Sequence, residues 1–118
     1  MRFLIIEDEF LIARMISEVL VNSGHTVVGI VGSVDKAIQY LLEPECDAAI
    51  VDANLNGFCA VAVGAALREL GIPFVVTSGY AQRQLRGALS EAPFLKKPVS
   101  ESDLLASIDT MLLKKELC

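Results

Sequence analysis

Five short apolar runs recur along the chain: Phe3–Ile6, Thr26–Val31, Ala48–Val51, Phe74–Thr77 and Pro93–Lys96. Each is rich enough in β-formers, and short enough, to be a buried strand. Between them lie segments with helical spacing. Leu11, Ile12, Met15, Ile16, Val19 and Leu20 form the first apolar stripe, closed by Gly24 at its C-terminal end. A second helix starts at Ser33 or Val34 and stops before Pro44, and a third is expected over Gly57–Leu70, ended by Gly71 and Pro73. Gln82–Leu89 reads as a short polar fourth helix. Ser100-Glu101-Ser102-Asp103 has the form of a capping box and opens the fifth, whose inner face is Leu104, Leu105, Ile108, Met111 and Leu112.

Strands that are apolar throughout must be covered on both faces, and strict strand–helix alternation supplies that cover through right-handed crossovers. The expected fold is therefore α/β: one (βα)5 doubly wound domain on a five-stranded parallel sheet. A length of 118 residues leaves little room for a second domain, and residues 1–118 contain no repeat or linker. The longest near-continuous apolar stretch, Phe58–Leu67, is about half of a membrane span. The N-terminus does not read as a signal peptide, since acids follow Ile6 directly. A cytoplasmic location without membrane contact is expected.

Ten basic and fifteen acidic residues give a net charge of −5 with no Lys/Arg run, which argues against direct nucleic-acid binding. Cys46, Cys59 and Cys118 are odd in number and widely spaced, and the only histidine, His25, reads as a turn residue. A disulfide framework and a zinc site are both poorly supported.

In an open parallel sheet, ligands gather at the carboxyl ends of the strands. Glu7-Asp8-Glu9 follow the first strand, Asp52 the third, Thr77-Ser78-Gly79 the fourth and Lys96-Lys97-Pro98 the fifth. Crowded carboxylates repel unless a cation neutralises them, and all-oxygen ligands favour a hard ion such as Mg²⁺. A nearby ammonium and hydroxyl complete a set suited to stabilising a phosphoryl group in transfer. Asp52 is the candidate nucleophile and Asp8 the candidate metal ligand. Lys97 is favoured over Lys96 for the site, because alternation sends the two side chains opposite ways.

These residues together resemble the receiver domain of bacterial response regulators, the phosphorylated switch of two-component and phosphorelay signalling. The resemblance runs over the whole chain and rests on LIIEDE, AAIVDANLNG, PFVVTSGY and FLKKPV in that order. It implies the flavodoxin-like strand order 2-1-3-4-5 of the CheY-like superfamily. It also implies that Asp52 is the phospho-acceptor and that Mg²⁺ is bound by Asp8, Asp52 and the Asn54 backbone carbonyl, with Glu7 acting through water. Thr77 and Lys97 would bond phosphoryl oxygens, the Lys97–Pro98 peptide would be cis, and Phe94 would be an aromatic switch, although Phe94 reads equally as a core aromatic. The implied phosphodonor is a sensor histidine kinase or histidine phosphotransfer protein, docking on the first helix around Leu11, Arg14 and Ser17. The implied output face is the fourth helix, fifth strand and fifth helix, with Arg83, Arg86, Lys96 and Phe94, open to a downstream protein or a second copy of the chain. Asn56 stands where many receivers have proline, and Ser78 where alanine or glycine is frequent. Gly79, two residues after Thr77, gives Asp52 little side-chain cover, so autodephosphorylation is not expected to be slow.

As no output domain follows Lys115, a stand-alone regulator is expected rather than an enzyme; the alternative is a receiver cut from a longer DNA-binding regulator. A haloacid-dehalogenase-type aspartyl-phosphate phosphatase uses similar groups, and Asp52-Ala53-Asn54 resembles its DxD motif. Against it, the second acid is missing, the metal-binding acids precede Asp52, and there is no cap domain. A degenerate receiver would lack a chemical group, and none is lacking.

Overall fold

A computed structural model describes the backbone of residues 1–117 and the side chains of residues 1–113. Cys118 and the Lys115 side chain lie outside the described residues. The elements in chain order are β1 (Arg2–Ile6), α1 (Phe10–Asn22), β2 (Thr26–Val31), α2 (Val34–Tyr40), β3 (Ala48–Asp52), β4 (Asn54–Leu55), β5 (Phe58–Cys59), α3 (Val61–Glu69), β6 (Phe74–Ser78), β7 (Phe94–Lys96) and α4 (Glu101–Leu117). The main sheet has the order β2-β1-β3-β6-β7 and every pairing in it is parallel. Since β4 and β5 form a separate hairpin, this is the flavodoxin-like order, with β3 in the centre.

Strand alternation divides the core into two layers. Leu4, Ile6, Ala49, Val51, Phe74 and Val76 face α2 and α3, with Ala37, Val63 and Leu67. Phe3, Ile5, Ala48, Ile50, Val75 and Leu95 face α1 and α4, meeting Ile16, Leu20, Leu104 and Ile108. Helix α4 buries Leu104, Ile108 and Met111 at helical spacing, with Leu105 and Leu112 packed beside them. Its start is capped by Ser100, whose Oγ accepts the Asp103 N–H at 3.2 Å. Ser33 does the same for α2 through the Lys36 N–H. Gly24 follows α1 at φ +90°, a left-handed conformation that costs glycine little.

Two expected helices are corrected. The third begins at Val61, not Gly57, because Asn56 (φ 54°) and Gly57 (φ 85°) are both left-handed and form the two-residue turn of the β4–β5 hairpin. Asn-Gly is the pair such a turn favours. The fourth is no α-helix. Gln82–Gln84 and Gly87–Glu91 are short 3-10 segments, interrupted where Leu85 and Arg86 are extended (ψ 152° and 156°) and Gly87 is left-handed. A three-residue turn of polar side chains cannot recover the cost of helix nucleation. Leu85, Ala88 and Leu89 are nevertheless buried, and Leu89 packs over Gly64 of α3. Leu11, counted in the α1 stripe, is exposed, and the buried face of α1 is Ala13, Ile16, Val19 and Leu20.

No described helix is long and apolar enough to cross a membrane. Cys46 is buried, Cys59 is exposed, and both are free thiols.

Candidate functional site

Parallel register brings the polar strand ends to one rim. Ile6 pairs with Val51, so Glu7 emerges beside Asp52, and Asp52 itself pairs with Thr77. Ser78 pairs with Lys96, and its carbonyl accepts the Lys97 N–H at 2.9 Å, which fixes Lys97 beyond the end of β7. The Lys97–Pro98 peptide is cis. Lys96 is exposed while Lys97 turns into the pocket, where only 17% of its side chain remains accessible.

Lys97 Nζ lies 2.9 Å from both Asp52 Oδ2 and Glu7 Oε1, and 3.7 Å from Glu9 Oε1. Glu7 and Asp52 are almost fully buried, at 3% and 4% exposure. Two buried carboxylates thus share one ammonium, and Asp8 adds a third. Carboxylate oxygens of Glu7, Asp8 and Asp52 all lie within 4.8 Å of one another. Each of the three has one oxygen held by a backbone N–H: Glu7 Oε2 by Glu9, Asp52 Oδ1 by Asn54 and Asp8 Oδ2 by Asn56, each at 3.1 Å. The carboxylates are therefore oriented by main-chain donors as well as by charge.

Protonation follows from this crowding. Burial pushes the Glu7 carboxyl up to about 7, a rise that the Lys97 ammonium and the Glu9 N–H only partly offset and that Asp52 reinforces. Burial pushes Asp8 upward too, but the Glu7 side chain and the Asn56 N–H outweigh it and leave Asp8 below the usual aspartate value. For Lys97, burial disfavours the ammonium, yet Asp52 and Glu7 together hold it above the ordinary lysine range. One ammonium does not balance the acids around it, so the pocket suits a hard divalent cation with oxygen ligands.

Thr77 is 1% exposed, and its Oγ1 is buried with no hydrogen-bond partner. A buried hydroxyl without a partner carries a desolvation cost, which a ligand oxygen at the site would relieve. Ser78 is equally buried, but its Oγ accepts the Tyr80 N–H at 2.9 Å and so shapes the turn after β6.

Glu7, Asp8, Asp52, Thr77 and Lys97 therefore come together as the strand-end reading requires, and Asn54 borders them in β4, its N–H on Asp52 and its side-chain oxygen accepting the Gly57 N–H. Phe94 does not enter the pocket. It pairs with Val76 in β7 and packs half-buried against the layer under α2 and α3. Leu11, Arg14, Arg83, Arg86 and Lys96 are all exposed, and Arg14 pairs with Glu18 at 3.3 Å on α1. Sequence reasoning missed Glu9 as a neighbour of Lys97, and Asn56, whose backbone N–H holds Asp8 and whose Nδ2 donates to the Gly32 carbonyl at 3.3 Å. The Asn56-Gly57 pair was the available signal.

Residues 3–109 match the family model for the response regulator receiver domain. The chain belongs to that family. The receiver is 32% identical over 114 residues to the transcriptional regulatory protein PdtaR of Mycobacterium tuberculosis, covering 92% of this chain and 55% of the relative. The chain thus spans about half the length of the curated relatives it matches. Among solved structures, SdrG from Sphingomonas melonis Fr1 is 33% identical, with a TM-score of 0.82 over 94% of this chain and 95% of that one. The response regulator PhyR from Brucella abortus is 27% identical, with a TM-score of 0.86 over 98% of this chain and 49% of that one. Membership in this family fits a two-component signalling switch.

Proposed function

We propose that this receiver accepts a phosphoryl group on Asp52 from the phosphohistidine of a sensor kinase or phosphotransfer protein, with Mg²⁺, and passes the change to a protein partner in the cytoplasm. In this reading the chain is a phospho-acceptor and turns over no substrate of its own apart from losing the group again. The observation that carries it is the buried, unpartnered Thr77 hydroxyl on the strand position paired with Asp52, across from a lysine already bonded to that aspartate.

An Asp52 carboxylate oxygen attacks phosphorus, the P–N bond to the donor imidazole breaks with its electrons going to nitrogen, and an acyl phosphate forms. Asp8, Asp52 and the Asn54 carbonyl would hold Mg²⁺, with Glu7 acting through water; when bound, the ion neutralises charge on the transferring oxygens. Lys97 exchanges its bond with Asp52 Oδ2 for a phosphoryl oxygen, and Thr77 gains the acceptor it lacks. Both bonds form only after phosphorylation, so both bias the two-state surface toward the active form.

The surface to be remodelled is the 3-10 segment after β6 together with β7 and α4, carrying Arg83, Arg86, Lys96 and Phe94, and open to a target protein or a second copy of the chain. Leu11 and Arg14 at the exposed start of α1 lie on the docking side for the phosphodonor. The test is an NMR titration with Mg²⁺ followed by beryllofluoride, a phosphoryl mimic. Saturable shifts at Thr77 and Lys97, absent in Asp52→Ala, support the reading. An unmoved spectrum with both ligands overturns it.

A further inference from the structure

We infer that Asn56 is a positioning residue for the metal pocket: it ties the loop after Asp52 to two other strand ends and holds Asp8 in its ligating orientation. The inference rests on the receiver reading above and deepens it. Asn56 lies at φ 54°, in the left-handed region, with Gly57 beside it at 85°. Asparagine accepts that region more readily than most side chains. The reversed backbone points the Asn56 N–H at Asp8 Oδ2 (3.1 Å), across 48 residues of sequence, and leaves the other Asp8 oxygen available to a cation.

The side chain closes the arrangement. Asn56 Nδ2 donates to the Gly32 carbonyl at 3.3 Å, at the end of β2. Gly32 itself abuts the end of β1, where a Cβ added to it would sit 3.6 Å from Asp8 Cα and from the Glu7 carbonyl. One residue thus fastens the β4–β5 hairpin to the loops after β1 and β2 on both sides of Asp8. Glu7 and Asp52 are oriented by N–H groups only two residues away in sequence, whereas Asp8 depends on this tertiary bond. A proline at position 56 would have no N–H to offer Asp8.

Asn56→Gly isolates the side chain, because glycine accepts the same φ and keeps the backbone N–H. Mg²⁺ affinity would be measured by NMR titration of wild type and variant, alongside hydrogen exchange of the amides of residues 9, 54 and 56 and a thermal melt. Loss of an outer partner of a metal ligand weakens binding by an order of magnitude or more, and retention of the N–H moderates this to about fivefold here. The expected signature is that loss together with faster exchange at residue 56 alone, while Glu9 and Asn54 keep wild-type rates and the melting midpoint holds. A Mg²⁺ dissociation constant within about twofold of wild type would overturn the positioning role. Equal quickening of all three amides would overturn it as well, by showing general loosening. A wild type that binds no Mg²⁺ at all would instead remove the functional reading on which it rests.

Discussion

Replacing Glu7 with glutamine should stabilise the Mg²⁺-free protein, and by an amount that grows with pH. Burial holds the folded carboxyl up at about 7, against 4.5 for a solvent-exposed glutamate. Its folded pKa is raised, so its contribution to stability is fully present below about 4.5 and is lost as pH rises through 7. Between those values the folded chain holds a proton that the unfolded chain has released. At 1.36 kcal/mol per unit the full penalty is about 3 kcal/mol, of which about 1 is already present at pH 5 and nearly all at pH 8. Glutamine carries no such charge and fills the same space beside Lys97. The burial of His25 lowers its pKa and makes wild-type stability fall as pH drops below about 6.5, but this is common to both proteins and cancels in the difference. Urea denaturation at pH 5 and pH 8 in EDTA should show the variant's advantage widening by about 2 kcal/mol. Saturating Mg²⁺ should erase the advantage, because it favours the ionised glutamate. Parallel pH–stability curves for the two proteins would show that Glu7 is not the strained group described above.

Further outcomes follow from the same geometry. Since Glu7 must release its proton for the ionised pocket to form, Mg²⁺ should bind about eightfold more weakly at pH 6 than at pH 7.5, as calorimetric titration would show. Thr77→Val removes a buried hydroxyl without a partner, so the unmodified protein should gain about 1 kcal/mol in urea denaturation. The same variant should lose the beryllofluoride-induced shifts around β7. A Cβ at Gly79 meets no atom within 4 Å, so Gly79→Gln should fold normally and slow the decay of phosphorylated Asp52 severalfold by covering it from water. An unchanged decay rate in a phosphate-release assay would separate that position from water access.

The parts of the fold legible in the sequence were those set by local pattern. Runs such as Ala48–Val51 must be buried on both faces, and that requirement alone implies a parallel sheet with helices on either side. Once the sheet is parallel, its carboxyl edge gathers whatever follows each strand, so the sequence alone groups Glu7, Asp8, Asp52, Thr77 and Lys97. Segments governed by tertiary context were read less well. Gln82–Leu89 has helix-compatible residues, but its apolar side chains Leu85, Ala88 and Leu89 are spaced to cover α3 from a kinked path, which breaks the helix at Leu85 and Arg86. Gly57–Leu70 has the composition of one helix, because the small apolar residues after Gly57 mask the Asn-Gly turn. Asn56 stands out in the sequence only as a departure from proline, because its role depends on a bond to a residue 48 positions earlier. Glu9 escaped for a similar reason, as its place beside Lys97 depends on how α1 leaves β1.

The most direct test of the switch is the intact mass of the protein after incubation with acetyl phosphate, with and without Mg²⁺, beside Asp52→Ala. The geometry of Asp52, Thr77 and Lys97 calls for a gain of one phosphoryl group that requires Mg²⁺ and is absent from the variant. An adduct that persists in Asp52→Ala would place the acceptor elsewhere. An unmodified wild type that also fails to bind Mg²⁺ and beryllofluoride would contradict the phosphorylation switch itself.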